Sequence, residues 1–205
     1  MQGVYGTKGV AAATNVPGAR LDSVSWIDGT GNLWLFGGQG IDPRLLSGSF
    51  NDLWEYSPST NLWTWVSGSS TTQSAGVYGT QGVASLSNVP GARSGSTGWS
   101  DISGNFWLMG GGGFDFTGNV GPINDLWKYN ISSNTWTWVG GSNTVSAHGV
   151  YGTLGVTAAT NIPGARGFSV SWFDSSNNRV WLFGGSGLDS AGTQGFLNDL
   201  WSYQP

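Results

Sequence analysis

The chain has 205 residues, which suits one ordinary domain, and 14% of them are aromatic and 36 are glycine, whereas only 9% are charged. This composition is typical of stacked sheets joined by tight turns and disfavours a helical protein. The net charge of −4 comes without a basic stripe, no apolar run could span a bilayer, and there is no cysteine, so we expect no nucleic-acid or membrane partner and no thiol chemistry.

Three copies of one pattern follow each other along the chain. The motif GVYGT begins at Gly3, Gly76 and Gly149, a spacing of 73 residues. Similarity at a fixed spacing indicates units that bury their faces against one another. We therefore predict a single domain over residues 1–205, built from the repeats 3–75, 76–148 and 149–205.

In chain order, each copy predicts short antiparallel strands. The first strand follows NVPGAR or NIPGAR and ends in Trp-x-Asp, and the second is NLWLFGG or its equivalent, with GTGN as the hairpin turn between them in the first copy. After a variable glycine-rich stretch, NDLWEY predicts the third strand and NLWTWV the fourth, joined by the turn SPSTN. The run Leu33–Phe36 is apolar without alternation, so we expect both of its faces to be covered.

The order of these motifs resembles the kelch repeat. Pro-x-x-Arg, a second strand ending in Gly-Gly, and Asn-Asp-Leu-Trp-x-Tyr recur together in every copy. The diglycines are Gly37-Gly38, Gly110-Gly111 and Gly184-Gly185. The resemblance implies an all-β fold, a kelch-type β-propeller with four-stranded blades stacked around an axis. The copies exceed the usual kelch length of about 50 residues, mainly through inserts such as SGSSTTQSAGVYGTQGVASLSN, which we interpret as long loops between blades.

Three blades are too few for a closed ring, because propellers typically have about four to eight. The third copy also stops at NDLWSYQP without a Trp-x-Trp strand, so its last sheet has an unprotected edge that invites pairing. Two chains would supply six blades, within the usual range, whereas three chains would supply nine. We predict a homodimer that completes a six-bladed ring. The alternative is that the sequence is a fragment of a longer repetitive chain.

The loops between the second and third strands differ most among the copies. We expect these loops and the loops between blades to be long and to emerge on one face of the propeller. Divergence within a repeat indicates either surface freedom or ligand contact. The candidate ligand-binding residues in these loops are Asp42, Arg44, Asp115, Phe116 and Asp189. The alternative is ordinary solvated loop polarity.

The GVYGT motifs contribute one tyrosine per copy as a second candidate set. These residues are Tyr5, Tyr78 and Tyr151. Their rings could stack on a sugar or a peptide, or they could fill the wedge between blades.

One arginine per copy begins the innermost strand, namely Arg20, Arg93 and Arg166. Their guanidinium groups could form a ring near the channel mouth that suits a carboxylate or phosphate, and the kelch resemblance implies ligand-binding arginines near this entrance. The alternative is an internal salt bridge to the aspartate of each NDLW motif. These aspartates are Asp52, Asp125 and Asp199.

The inventory of catalytic groups is small. His148 is the only histidine and there is no cysteine, so we expect neither a metal site nor a cofactor. No phosphate loop, dinucleotide fingerprint or Gly-x-Ser-x-Gly elbow occurs. The remaining catalytic options are a carboxylate pair acting on a glycoside or, by the kelch resemblance, a sugar epimerase.

The leading interpretation is a non-catalytic binding or scaffold protein that presents its loops to a glycan or protein ligand. A carbohydrate-active enzyme and a purely structural self-assembling repeat protein are the alternatives. The low charge and the abundance of Ser, Thr, Asn and Gly suit a soluble extracellular or cell-surface protein. The first residues lack the hydrophobic run of a signal peptide.

Overall fold

The computed structural model describes residues 1–205 and is all-β, with 16 strands and no helix. Every pairing between strands is antiparallel, and the strands form four sheets that make up three successive blades. The structure contains no helix with the length and apolar character that crossing a membrane requires.

The first blade has interrupted strands. They are β1 (Arg20–Leu21), β2 (Val24–Ile27), β3 (Leu33–Phe36), β4 (Gln39–Ile41), β5 (Ser47–Ser49), β6 (Leu53–Ser57) and β7 (Leu62–Ser67). The sheet order is β2, β3, β6 and β7, and a smaller sheet of β1, β4 and β5 extends it. The blade therefore has four strand positions, with β1 and β2 sharing the first position.

The second and third blades have longer strands. The second blade contains β8 (Arg93–Ser94), β9 (Thr97–Ser100), β10 (Phe106–Phe114), β11 (Val120–Asn130) and β12 (Thr135–Gly140). The third blade contains β13 (Arg166–Gly167), β14 (Val170–Asp174), β15 (Arg179–Leu188) and β16 (Gln194–Tyr203). β16 pairs only with β15, so it is an edge strand, as the incomplete third copy predicts.

The hairpin turn predicted at GTGN is closed by an aspartate. The Oδ1 atom of Asp28 accepts hydrogen bonds from the backbone N–H groups of Thr30 at 2.9 Å and Asn32 at 3.0 Å. Its Oδ2 atom accepts one from the indole N–H of Trp34 at 2.9 Å, so the turn is tied to the strand that follows it. The Trp-x-Asp motif therefore encodes a turn.

The diglycine of each blade allows the next blade to approach closely. In the second blade, Gly110 and Gly111 have φ angles of 65° and 104°, which residues other than glycine rarely adopt. A Cβ atom at Gly110 would lie 2.5 Å from the carbonyl oxygen of Arg166, and one at Gly111 would lie 2.4 Å from the Oγ atom of Ser96. The first glycine is therefore required where the following blade approaches the second strand, and the second glycine where the first strand of the same blade approaches it.

The first strands of successive blades contact one another, so they lie on the narrow inner side of the array. The backbone N–H of Gly95 donates to the carbonyl of Asp22 at 3.0 Å, and that of Phe168 donates to the carbonyl of Gly95 at 2.7 Å. These three equivalent residues all have positive φ and interrupt the first strand of each blade. A chain of hydrogen bonds thus runs from blade to blade along the inner side.

Apolar side chains fill the space between the blades. One buried cluster joins Trp26, Trp34 and Phe36 of the first blade to residues such as Phe106 and Trp127 of the second. The ring planes of Trp26 and Phe106 are stacked with centroids 5.1 Å apart. A second cluster joins the second blade to the third, and it consists of Trp99, Trp107, Met109, Val180 and Leu182. Each junction is an independent small core.

The prediction that Leu33–Phe36 is covered on both faces is wrong for the first blade. Leu33 is 42% exposed, because no other sheet of this structure lies against that face. At the equivalent position of the second blade Phe106 is fully buried, and its neighbours Trp107 and Leu108 are buried too. The apolar pattern is thus satisfied only where a blade has two neighbours.

The prediction of long loops between the second and third strands is also wrong. The glycine-rich segments continue as strands, and only residues 42–46, 115–119 and 189–193 remain as loops. β10 pairs with β11 as far as Phe114 and Val120. Glycine weakens the sequence signal for a strand, because it has no side chain to form the alternating pattern, but its backbone still forms the sheet hydrogen bonds.

The first two inserts each cover the outer edge of the blade that follows them in the sequence. In the first copy, the backbone N–H of Gly9 donates to the carbonyl of Trp65 at 2.8 Å, and the side-chain amide of Asn15 donates to the carbonyl of Trp63 at 3.0 Å. Both tryptophans lie on β7, the fourth strand. The insert therefore shields an edge that would otherwise be free to pair with another chain.

Candidate functional site

The three arginines predicted near the channel mouth form the salt bridges that were the alternative interpretation. Arg93 Nη1 lies 2.5 Å from Asp125 Oδ1, and Nη2 lies 2.7 Å from Oδ2. The corresponding shortest contacts are 2.6 Å for Arg20 with Asp52 and 2.6 Å for Arg166 with Asp199.

Four of the five N–H groups of the Arg93 guanidinium have hydrogen-bond partners within its own blade. The Nε–H of Arg93 donates to the carbonyl of Gly91 at 2.9 Å, and Nη1 also donates to that of Gly110 at 3.1 Å. The side chains of Arg93 and Arg166 are each 1% exposed and that of Arg20 is 5% exposed. Burial disfavours the charged form of Arg93, but the Asp125 carboxylate outweighs this effect and raises the arginine pKa. The arginines thus bind the strands of one blade together.

The same aspartate receives two further donors. The hydroxyl of Tyr78 donates to Asp125 Oδ2 at 2.5 Å and the indole N–H of Trp127 donates to it at 2.8 Å. The first and third copies repeat this arrangement at Asp52 and Asp199. The repeated Tyr, Arg, Asp and Trp are therefore one buried polar network per blade, which explains why they recur together.

The tyrosines of the GVYGT motifs are packed inside the protein and are not presented to solvent. Tyr5 is 7% exposed and Tyr78 is 4% exposed. The ring of Tyr5 lies 4.9 Å from that of Trp54 and 5.1 Å from that of Trp65. Tyr78 packs in the same way on the second blade and joins the cluster between the first two blades. Tyr151 is only partly buried, since its blade has no fourth strand. Burial, followed by the adjacent Asp52 carboxylate, raises the pKa of Tyr5 well above its ordinary value.

Asp42 does not line an exposed rim, because its side chain is fully buried. Its Oδ1 atom accepts hydrogen bonds from the backbone N–H groups of Arg44 at 2.8 Å and Leu46 at 3.1 Å. Its Oδ2 atom accepts from the side chain of Arg44 at 2.6 Å and from the backbone N–H of Thr72 at 3.2 Å. Burial opposes the ionised form, but the donors outweigh it and lower the pKa of Asp42 well below its usual range. The carboxylate closes its own loop and anchors the following insert. The Arg44 side chain remains 52% exposed.

Asp115 has the same role in the second blade. It is fully buried, and its carboxylate accepts from the backbone N–H groups of Thr117 at 2.8 Å, Asn119 at 2.9 Å and Val145 at 3.3 Å. These donors lower its pKa despite burial. A glycosidase acid needs the opposite shift, so this geometry does not favour the glycoside-hydrolysing alternative. Phe116, the next residue, is 49% exposed at the tip of the loop.

Asp189 closes the equivalent loop of the third blade with fewer bonds. It accepts from the backbone N–H groups of Ala191 at 2.9 Å and Thr193 at 2.8 Å. No insert follows it to provide a third donor like that of Thr72 or Val145. No three His, Asp or Glu side chains of the protein lie together in an arrangement that could hold a metal ion.

Sequence reasoning missed the apolar side chains at the tips of these loops. Leu45 is 72% exposed, Leu46 is 50% exposed, and Val120, at the start of β11, is 68% exposed. With Phe116 they form what we call the loop-tip set. The sequence did carry a signal for them. An apolar residue in a tight turn closed by an aspartate has no core to enter, so its side chain can be expected to be exposed.

No protein-family model matches the chain, and no curated protein matches it. Among solved structures, 126 chains match it in fold. One is the structure of YjhT, with a TM-score of 0.55 and 16% sequence identity over 92% of this chain and 54% of the YjhT chain. The chain therefore spans about half the length of YjhT. The fold is a β-propeller-like array of blades.

With this fold, the loop-tip set and the loops 42–46, 115–119 and 189–193 all lie at one end of the second and third strands. The turns 28–32 and 101–105 lie at the opposite end, because they join the first strands to the second strands. The candidate site is thus one face of the array, in which the predicted aspartates shape the loops from below and the missed apolar residues are exposed.

Proposed function

We propose that this protein is a non-catalytic binding scaffold of the kelch-repeat type, in which the blades hold short, rigid loops on one face for contact with a ligand. The observation that supports the proposal is that different residues of these loops have different roles, one set holding the loop and the other facing solvent. The buried carboxylates of Asp42 and Asp115 are taken up by loop closure, whereas Leu45, Phe116 and Val120 are exposed and differ between copies. Rigid backbone with variable exposed side chains suits recognition.

The chemistry of the loop tips favours a protein ligand over a glycan. Exposed aliphatic and aromatic side chains on one face of a protein are typical of protein-binding surfaces. In loops 42–46 and 115–119, Arg44 is the only charged residue whose side chain is exposed, at 52%. Arginine is common in protein interfaces. An extracellular or cell-surface location remains part of the proposal, supported by the scarcity of charged residues.

The test uses immobilised wild-type protein, screened against a glycan array and against a panel of purified cell-surface proteins. We expect saturable binding to a protein of the panel. The double variant Leu45→Ser and Phe116→Ser should lose at least about tenfold in affinity, since an anchor side chain at the centre of an interface contributes about 2 kcal/mol or more and about 1.4 kcal/mol corresponds to tenfold.

The matched control is Ile102→Ser, in the turn between β9 and β10 on the opposite face. Ile102 is 66% exposed, comparable to each loop-tip residue, so its replacement removes an exposed apolar side chain without touching the loop tips. Affinity unchanged in the control and reduced in the double variant supports the proposal. No saturable ligand on either array, or equal loss in both variants, would overturn it.

A further inference from the structure

The third blade has an uncovered apolar face. Trp172 is 54% exposed, Phe183 is 42% exposed and Leu200 is 58% exposed. With Trp181 these residues line a shallow apolar hollow of about 460 Å³. We call this surface the leading face of the third blade. Burial of such side chains is favourable, so exposure of the leading face to water is unfavourable.

The equivalent residues of the first two blades are buried by the blade that follows. Trp26 and Trp99, which correspond to Trp172, are 5% and 7% exposed. Phe36 and Met109, which correspond to Phe183, are 1% and 8% exposed. The leading faces of all three blades are therefore built alike, and two of them show in this structure what covers them, namely the rear face of the next repeat.

The first blade has the complementary uncovered surface, its rear face. Leu33 is 42% exposed and Ile27 is 64% exposed. Phe106 and Val180, which correspond to Leu33, are 0% and 3% exposed because each packs against the preceding blade. The chain thus ends in one uncovered leading face and one uncovered rear face of the type that pair twice within it.

Polar groups at the two ends complement each other in the same way. The side-chain amides of Asn51 and Asn124 donate to the carbonyls of Pro90 and Pro163 in the next repeat, at 3.1 Å and 3.0 Å. The side chain of the equivalent Asn198 is exposed and makes no hydrogen bond within the chain. The proline of the first repeat that is equivalent to Pro90 and Pro163 is Pro17.

The backbone of the inner strands repeats this relation. The hydrogen bond from Gly38 N–H to the carbonyl of Arg93 is 2.9 Å long and joins the first diglycine to the second blade. At the third diglycine, the space that Arg166 occupies beside Gly110 is open beside Gly184. The equivalent arginine is Arg20, at the start of the first blade.

We propose that a second copy of this chain docks head to tail, with the leading face of the third blade of one copy against the rear face of the first blade of the other. Asn198 then donates to the carbonyl of Pro17 of the second copy, and Gly185 donates to the carbonyl of its Arg20. The same contact repeated by the second copy gives two junctions and six blades, within the range of closed propellers. This inference concerns the flat faces of the end blades and not the loop tips, so a result against it would not contradict the proposed function.

Sedimentation equilibrium of the 205-residue chain tests the docking directly. We expect a mass of about 43 kDa, twice the 21.5 kDa of one chain. A mass that stays at 21.5 kDa at the highest soluble concentration would overturn the inference, and the leading face would then belong to a different partner. A mass that keeps rising beyond two copies would overturn the closed ring.

Single variants identify the surface. Leu200→Glu places a charge on the leading face and should yield a monomer whose circular dichroism and thermal transition still report a folded chain. The matched control is Leu154→Glu, because Leu154 is 99% exposed in the third insert and lies outside the leading face. We expect the control to remain a dimer. A dimeric Leu200→Glu protein would contradict the proposal.

Mixing two variants separates head-to-tail docking from contact between two identical faces. Ile27→Glu blocks the rear face and should also be monomeric by itself. A mixture of Ile27→Glu and Leu200→Glu retains one intact leading face and one intact rear face, so it should form a heterodimer with a single junction. If Ile27→Glu alone still dimerises, the leading faces contact each other and the head-to-tail arrangement is wrong.

Discussion

The second and third blades contain the same motif residues in different surroundings. Trp99 in the second blade is 7% exposed, and its counterpart Trp172 in the third is 54% exposed. Asp125 is fully buried, whereas the side chain of Asp199 is 15% exposed. The difference shows that burial in this protein is determined by the neighbouring blade, not by the residue or its own strand. Equal substitutions in the two blades should therefore have unequal effects.

The largest expected difference concerns the buried ion pair. Arg93→Met leaves Asp125 as an unpaired buried charge, and breaking such a pair costs about 3–5 kcal/mol of unfolding free energy. Arg166→Met should cost less, since Asp199 is partly hydrated. Urea denaturation at low protein concentration measures both. Equal losses would show that solvent access at the third blade has no energetic effect.

The second prediction compares a rear face that is covered with one that is not. Leu108 is fully buried between two blades, so Leu108→Ala should lower the unfolding free energy by about 2–5 kcal/mol. Leu35 occupies the same position in the first blade, where it is only partly buried, and Leu35→Ala should have a smaller effect in the monomer. The effect of Leu35→Ala should grow with protein concentration if a second copy covers the rear face. A loss independent of concentration would argue against that cover.

The third prediction concerns loop closure. Asp115→Asn removes the charge that Thr117, Asn119 and Val145 stabilise, and hydrogen bonds to charged groups contribute about 1.5–3 kcal/mol. Asp189→Asn should cost less, because the carboxylate of Asp189 accepts only from Ala191 and Thr193 of its own loop. Thermal denaturation of both variants gives the comparison, and a larger loss for Asp189→Asn would refute it.

The smallest effect is a pH dependence at the third blade. Burial raises the pKa of Asp199, but donors from Arg166, Tyr151 and Trp201 outweigh it and lower the pKa from 3.8 to about 2. Because the folded value lies below the unfolded one, the stabilisation is complete above the ordinary value and is lost as the pH falls towards the folded one. Solvent screening limits this contribution to about 1 kcal/mol or less. Unfolding free energies measured across this acid range should fall more steeply for the wild type than for Asp199→Asn. Parallel curves would contradict the assignment.

Several features of the fold could be predicted from the sequence because they depend on local chemistry. The turn at Asp28 and the interrupted copy that leaves β16 at an edge follow from residues close together in the chain. The pairing of Arg93 with Asp125 was one of two interpretations, since repetition indicated a partner but not whether that partner was inside the blade or a ligand.

Other features could not be predicted, because they depend on residues far apart in the sequence. Nothing near Asp42 indicates that its carboxylate points inward to the backbone of Thr72. The glycine-rich second strands do not show the alternation of a strand, so their pairing over Gly111–Phe114 was interpreted as loop. Leu45, Leu46 and Val120 were missed for the related reason that apolar residues are ordinarily assigned to a core.

By itself, the sequence determined the repeat, the order of the strands in each copy and the chemistry that closes each turn, since these depend on contacts within one repeat. Only the tertiary structure decided which copies of an identical pattern are buried. A tryptophan such as Trp99 or Trp172 leaves water only when another sheet lies against it, and the presence of that sheet is a property of the whole array.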